Sequence, residues 1–286
     1  MAVKFFGQFL VEKRIVSRES LLEAIRLQES VNLSFGDLAI AMGYMSQQDV
    51  VRVNQAQRSQ DERFGDLAVK LGVLTEDRLQ QVLVQQKSTH LYIGEALVRV
   101  GALSEADLPR HLEDFKEDQA PYMTERVKIP SGTPHPEMCE IIADLTYKML
   151  TRVARLTFRP EQCLLSPNPA PNDIGAVITF SGDIQARYLF TISRFAQKKL
   201  AAAMLNQADV GEEPQEILDD TVMEFINVVC GNIAARAAQF GKRMEINPPE
   251  IVAAPEMVKI EPGETGLSFP VCYTDGEHSE LYITIR

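Results

Sequence analysis

Residues 174–192 read IGAVITFSGDIQARYLFTI. Two apolar runs, Ile174–Phe180 and Gln185–Ile192, flank Ser181, Gly182 and Asp183, a composition that favours a tight hairpin turn. In the second run Ala186, Tyr188, Phe190 and Ile192 alternate, so a strand places them on one face. Ser193 is a good N-cap for an Ala/Lys/Leu-rich helix ending near Asn206. After a polar stretch, a long helix is predicted from about Glu216 to Phe240. Further strands are expected near Glu250–Ile260, Leu267–Tyr273 and Glu280–Ile285, with Asp275 and Gly276 turning between the last two. Upstream, Ile141, Leu145, Met149 and Val153 share one helical face and predict a helix over about 137–157. Hairpins beside runs of helices predict an α+β arrangement, with helices packed on a mainly antiparallel sheet.

The long helix carries the chemistry. It reads EILDDTVMEFINVVCGNIAARAAQF. Asp220, Glu224, Asn227 and Gly231 fall at i, i+4, i+7 and i+11 and form one narrow stripe. Val222, Met223, Phe225, Ile226, Val228 and Val229 flank it and favour burial. Asn is a mediocre helix former, and Gly costs about 1 kcal/mol against Ala in a helix interior. Two readings stand at this point: a plain solvated face, or a functional one.

The Gly-Asp hairpin, the helix after it, the segment DDTVMEFINVVCGN (219–232) with its E-x-x-N-x-x-x-G-N pattern, and the closing strands resemble the CheX/CheC/FliY family of chemotaxis phosphatases over about 137–286. The first helix, EMCEIIADLTYKML, lacks a second E-x-x-N, so the single site is CheX-like. The resemblance implies hydrolysis of the aspartyl phosphate of a CheY-like response regulator. It implies that Asn227 orients the attacking water and that Glu224 pairs with the regulator's active-site lysine. The Mg2+ belongs to the regulator, and no cofactor of this chain's own is expected. Family members are often homodimers joined through sheet edges.

The first half is repetitive. Gly7, Gly36, Gly65 and Gly94 each follow the last by 29 residues, and the four segments around them align without gaps. Each reads as two short helices. A second glycine (Gly43, Gly72, Gly101) ends the first helix, with Arg14 in its place in the first repeat, where a different turn is expected. Ser17, Ser46, Thr75 and Ser104 read as N-caps of the second helix. Gln28, Gln57, Gln86 and finally Phe115 mark its end. Helix pairs this short need neighbours to bury their apolar faces, so residues 1–118 are expected to form one all-α domain. Residues 119–136 read as a linker, and 137–286 as the second domain.

The repeat pattern resembles the N-terminal MshEN-type domain of type II secretion and type IV pilus ATPases, some of which bind cyclic di-GMP. By that resemblance Ser34, Gly36, Gln57, Arg63, Gly65 and Gln86 form the best ligand site; only the third repeat keeps both ends of the motif, as Arg63, Gly65 and Gln86. An interaction scaffold is the alternative. The glycines serve equally well for helix packing, and the glutamines as ordinary helix surface.

Composition sets the outer limits. The chain has 286 residues, 29 basic and 40 acidic, for a net charge of −11, which argues against a nucleic-acid polymer as partner. No apolar run is long enough to insert in a membrane and no secretory signal is read at the start, so a cytoplasmic location is expected. Cys139, Cys163, Cys230 and Cys272 are far apart and lack C-x-x-C spacing; free thiols and no metal site are expected.

Overall fold

A computed structural model describes residues 4–120, 127–253, 255 and 258–286. The described residues divide into two compact bodies, one within 4–120 and the other within 127–273 and 277–286. Among the described residues no helix is long and apolar enough to cross a membrane.

Among the described residues the N-terminal body holds eight helices, two per repeat: α1 (Phe6–Glu12) and α2 (Arg18–Val31), α3 (Phe35–Ala41) and α4 (Gln47–Gln57), α5 (Phe64–Lys70) and α6 (Glu76–Thr89), α7 (Ile93–Arg99) and α8 (Leu108–Gln119). The repeat glycines are packing residues. A Cβ at Gly7, Gly36, Gly65 or Gly94 would lie 2.3, 3.1, 2.4 or 2.7 Å from the side chain fourteen residues later, namely Leu21, Val50, Leu79 and Leu108. The first helix of each repeat therefore lies tight against the second. Gly43, Gly72 and Gly101 end the first helices with φ near +71 to +74°. The expectation of a different turn in the first repeat is corrected: Arg14 takes φ +57° there. The same bond closes all four turns, with the amides of Ile15, Tyr44, Val73 and Ala102 donating to the carbonyls of Leu10, Ala39, Ala68 and Leu97. The geometry of the turn is kept without glycine, at the steric penalty a side chain carries in the left-handed region.

Ser17, Ser46 and Thr75 accept hydrogen bonds from the amides three residues on, as N-caps do. Ser104 does not cap; α8 starts only at Leu108, after Asp107. Pro109 explains the delay. A helix started at Ser104 would put Pro109 where an amide must donate, and proline has none; starting at Leu108 puts it in the first turn, where none is needed.

The repeats do not stack as one continuous column. They pair two by two, with one core from repeats two and three and another from repeats one and four. Phe35 and Phe64 meet at 5.6 Å in the first pair, and Phe115 packs on Phe6 and Phe9 at 5.5 and 5.6 Å in the second. The closing glutamines tie each pair. Gln57 Nε2 donates to the carbonyl of Glu62 (3.1 Å), just before Arg63; Gln86 Nε2 reaches that of Leu33 (3.4 Å), just before Ser34; Gln28 Nε2 donates to that of Leu91 (2.9 Å), just before Tyr92. Asn32 adds two bonds to the buried Leu91, donating to its carbonyl (2.9 Å) and accepting from its amide (2.7 Å).

The C-terminal body opens with α9 (Pro136–Arg152). Of the expected linker, residues 121–126 lie outside the described residues, and 127–135 contain no helix or strand. The helix ends before the expected 157: Arg155 adopts φ +52°, and the Leu156 amide turns back to the Leu150 carbonyl. The strands are β1 (Phe158–Pro160), β2 (Leu164–Leu165), β3 (Ile174–Gly182), β4 (Ala186–Ile192), β5 (Met244–Ile246), β6 (Glu250–Val252), β7 (Thr265–Tyr273) and β8 (His278–Ile285). Between them lie α10 (Arg194–Leu205), capped by Ser193, and α11 (Gln215–Gln239). The sheet is antiparallel throughout its recorded pairs, in the order β1-β7-β8-β4-β3-β5, with β2 also on β7 and β6 also on β3. The α+β expectation holds. The strand expected over 250–260 is only β6; Pro255 has no amide for a ladder, 258–260 are not strand, and 254, 256 and 257 lie outside the described residues.

The two sheet faces differ. One carries Ile178, Phe180, Tyr188, Phe190, Phe269, Leu281 and Ile283 into the apolar core beneath the helices. The reverse face is also buried but polar. Arg187 donates to Glu264 (2.6 Å), Thr284 Oγ1 (3.1 Å) and the Lys259 carbonyl (2.7 Å). Glu280, 3% exposed, accepts from the Ala170 amide (2.7 Å) and the Ser268 hydroxyl.

Asn32→Ala should leave the Leu91 amide unpaired and destabilise the N-terminal body by about 1–3 kcal/mol, measurable by urea denaturation followed by helical circular dichroism. Glu280 titrates above the ordinary glutamate value of 4.5, because burial outweighs its two hydrogen bonds. Folding therefore takes up a proton above that pH, and stability falls as pH rises through the window. Glu280→Gln should match the wild type below pH 4.5 and gain on it as the pH rises above that value in denaturation experiments.

Candidate functional site

The 25-residue helix α11 is polarised around its axis. Leu218, Val222, Phe225, Ile226, Val229, Cys230 and Ile233 are buried on the side facing the sheet and its neighbouring helices. The opposite arc carries Glu216, Asp220, Glu224, Asn227 and Gly231, within about 80° at 100° per residue. Glu216, Asp220 and Glu224 are exposed; Asn227 and Gly231 are half-buried. The predicted stripe is thus the outward face of a helix whose inward face is locked into the core.

Neighbouring polar residues on α11 have structural duties. Asp219 accepts from Gln197 (2.7 Å) on α10 and Gln215 (2.6 Å), which joins the two helices. Gln197 is fully buried, and sequence reading missed it, because its partner lies 22 residues away on another helix. Asn232 turns back to donate to the Val228 carbonyl at 2.8 Å. The Asn227 carboxamide has no such bond among the described residues. It presents one acceptor and two donor hydrogens outward, three residues from the Glu224 carboxylate on the same face. That pairing can hold a water in a set direction and engage a cation beside it.

The cysteine thiols are ill suited as nucleophiles. All four cysteines are buried and unbridged. Burial pushes Cys139 and Cys163 up to about 12 and Cys230 well above the usual thiol range, so these thiols stay protonated near neutrality. Among the described residues no group of three or more His, Cys, Asp or Glu could hold a metal ion.

In the N-terminal body the six residues of the predicted ligand site gather around the pair of repeats two and three. Ser34 and Arg63 are the N-caps of α3 and α5. Gly36 and Gly65 lie under Val50 and Leu79 and against the other repeat's phenyl ring. The amides of Gln57 and Gln86 are engaged with backbone carbonyls, and Arg63 is exposed. A cleft of about 650 Å³ beside α6 includes Gln86 with Leu83, Val84, Lys87, His90 and Tyr92, and none of the other five.

Because Asn227 has no hydrogen bond within the described fold and Ala is the better helix former, Asn227→Ala should leave stability within about 0.5 kcal/mol of wild type or raise it slightly, as read by thermal denaturation.

Residues 174–272 match the family model described as "Chemotaxis phosphatase CheX". This segment contains the hairpin, α10, α11 and most of β7; the C-terminal body is CheX-like. A curated relative, the CheY-P phosphatase CheX of Thermotoga maritima, is 22% identical over 116 residues, covering 41% of this chain and 74% of that protein. Among solved structures, a CheC-like superfamily protein from Shewanella sp. PV-4 is 17% identical with a TM-score of 0.48, covering 54% of this chain and 99% of that one. CheX in the CheX–CheY–BeF3–Mg2+ complex from Borrelia burgdorferi is 18% identical with a TM-score of 0.46, covering 52% and 97%.

Proposed function

We propose that the C-terminal body hydrolyses the aspartyl phosphate of a CheY-like response regulator. The observation that carries this reading is the outward placement of Glu224 and Asn227 on one face of α11, inside the segment that matches the CheX family model. The curated relative is itself a CheY-P phosphatase.

The chemistry asks little of this chain. An acyl phosphate is already activated. Water attacks phosphorus, the bond from phosphorus to the aspartate oxygen breaks, the carboxylate leaves, and the water proton passes to the phosphate or to solvent. What is missing on the regulator is a water held in line with the leaving oxygen. The Asn227 carboxamide accepts from that water and so directs its lone pair, a positioning role comparable to the water-orienting glutamine of GTPases. Glu224 docks the regulator by pairing with a cation beside its phosphorylation site, and Mg2+ is the regulator's own. Since Asn227 does not titrate, it contributes no limb to the pH–rate profile.

The experiment is the phosphate lifetime on CheY-like regulators of the same genome. The wild-type chain should shorten it, and Asn227→Ala should lose most of the acceleration, on the order of a hundredfold, at unchanged stability. Full activity in the variant overturns the assignment. A regulator that binds without any change in phosphate lifetime identifies a non-catalytic adaptor instead.

The MshEN-like repeats are proposed as the regulatory half, with cyclic di-GMP as ligand of the second and third repeats. The exposed Arg63 guanidinium favours this, since it suits both phosphate and base stacking. Adding cyclic di-GMP to the same assay, with Arg63→Ala as control, tests the coupling.

A further inference from the structure

Glycine is disfavoured in a helix interior, so each one there calls for a reason. For Gly7, Gly36, Gly65 and Gly94 the reason is internal, because a Cβ would press on the next helix. Gly231 has no such reason. It lies in the interior of α11, and a Cβ there would meet nothing within 4 Å. Its backbone has no left-handed φ to accommodate. Within the described fold the missing side chain serves no packing.

Its position is informative. Gly231 is four residues beyond Asn227 and seven beyond Glu224, on the same outward arc, about 6 Å along the helix axis from Asn227. The arc is graded. Its N-terminal half presents Glu216, Asp220 and Glu224, all exposed, and its C-terminal half presents bare backbone at Gly231. A partner that fits it brings a cation to the acidic end and main chain to the glycine end.

We infer that Gly231 is a positioning residue for the reaction proposed above, and that its occupant is the response regulator. The absent side chain is the clearance that lets the regulator's backbone settle against α11 one turn past Asn227. That approach brings the Asn227 carboxamide within reach of the water at the phosphorus. A side chain at 231 lifts the regulator away from α11 and withdraws Asn227 from the reacting atoms without touching the fold. This inference rests on the phosphatase reading and adds to it a steric determinant of docking depth.

The test uses the full-length chain as wild type, Gly231→Ala and Gly231→Leu, with one regulator whose phosphate lifetime the wild type shortens. Both variants should melt at or above the wild-type temperature. The maximal dephosphorylation rate should fall in order of side-chain size, modestly for Ala and at least tenfold for Leu, with binding of the regulator weakened in the same order. A Gly231→Leu chain that keeps the wild-type rate overturns this inference alone. So does a loss of rate accompanied by an equal loss for Ala and Leu and a lowered melting temperature, which marks a structural role. A wild-type chain with no effect on any regulator overturns the phosphatase reading and this inference with it.

Discussion

The burial of α11 governs the C-terminal body. Its apolar arc, with Phe225, Ile226 and Val229 at the centre, packs with α9, α10 and the core face of the sheet. Phe225 meets Phe190 of β4 at 5.5 Å. Once that arc is committed, the remaining arc has to face outward, and it carries Glu224, Asn227 and Gly231 together. A helix fixed along its whole length presents those groups on a stiff backbone. That rigidity suits positioning catalysis, where a displacement of about 1 Å is enough to lose a large factor in rate.

The sheet beneath is held from both sides by different forces. Pleat alternation sends aliphatic and aromatic residues to the helical side, where area burial dominates. The reverse side encloses Arg187, Glu264, Glu280, Ser268 and Thr284 in hydrogen bonds. Burial would raise the Glu264 carboxyl, but bonds from the Glu261 amide and Arg187 prevail and hold it below its ordinary range. Glu280, with no cation bonded to it among the described residues, goes the other way. Two buried carboxylates on one face thus part company according to their partners. The sheet edges are short and interrupted, with Pro160 ending β1, and Pro248 and Pro249 lying between β5 and β6, which limits further strand pairing at both sides.

The N-terminal body solves a different problem, since helices of seven residues are not stable alone. The missing Cβ at each repeat glycine lets the two helices of a repeat touch. Pairing of repeats then closes each core, and the glutamines and Asn32 satisfy carbonyls at the entry to the paired repeat. The fourth repeat replaces glutamine with Phe115, and there ring packing against Phe6 and Phe9 takes over from the hydrogen bond.

Local chemistry was legible in the sequence. Period 29, the left-handed glycines, three of the four hydroxyl caps, the 174–192 hairpin, the long helix and the E-x-x-N stripe all follow from spacing and side-chain type, since each depends on contacts within a few residues. The misses differ in origin. Arg14 takes a glycine's conformation inside a locally bonded turn, Ser104 has no helix to cap because Pro109 sets the start of α8, and the three-residue strands β1 and β5 exist only through pairing with β7 and β3, far away in sequence. Sequence also left two readings for the repeat glycines and two for the α11 stripe. Tertiary structure decided that Gly36 and Gly65 pack under Val50 and Leu79, that Gln57 and Gln86 reach backbone carbonyls, that the repeats pair two by two, and that no described atom lies within 4 Å of a Cβ at Gly231. Whether a missing side chain makes room for a neighbour or leaves a surface bare depends on what lies across from it, and that is a property of the packed chain rather than of the residue.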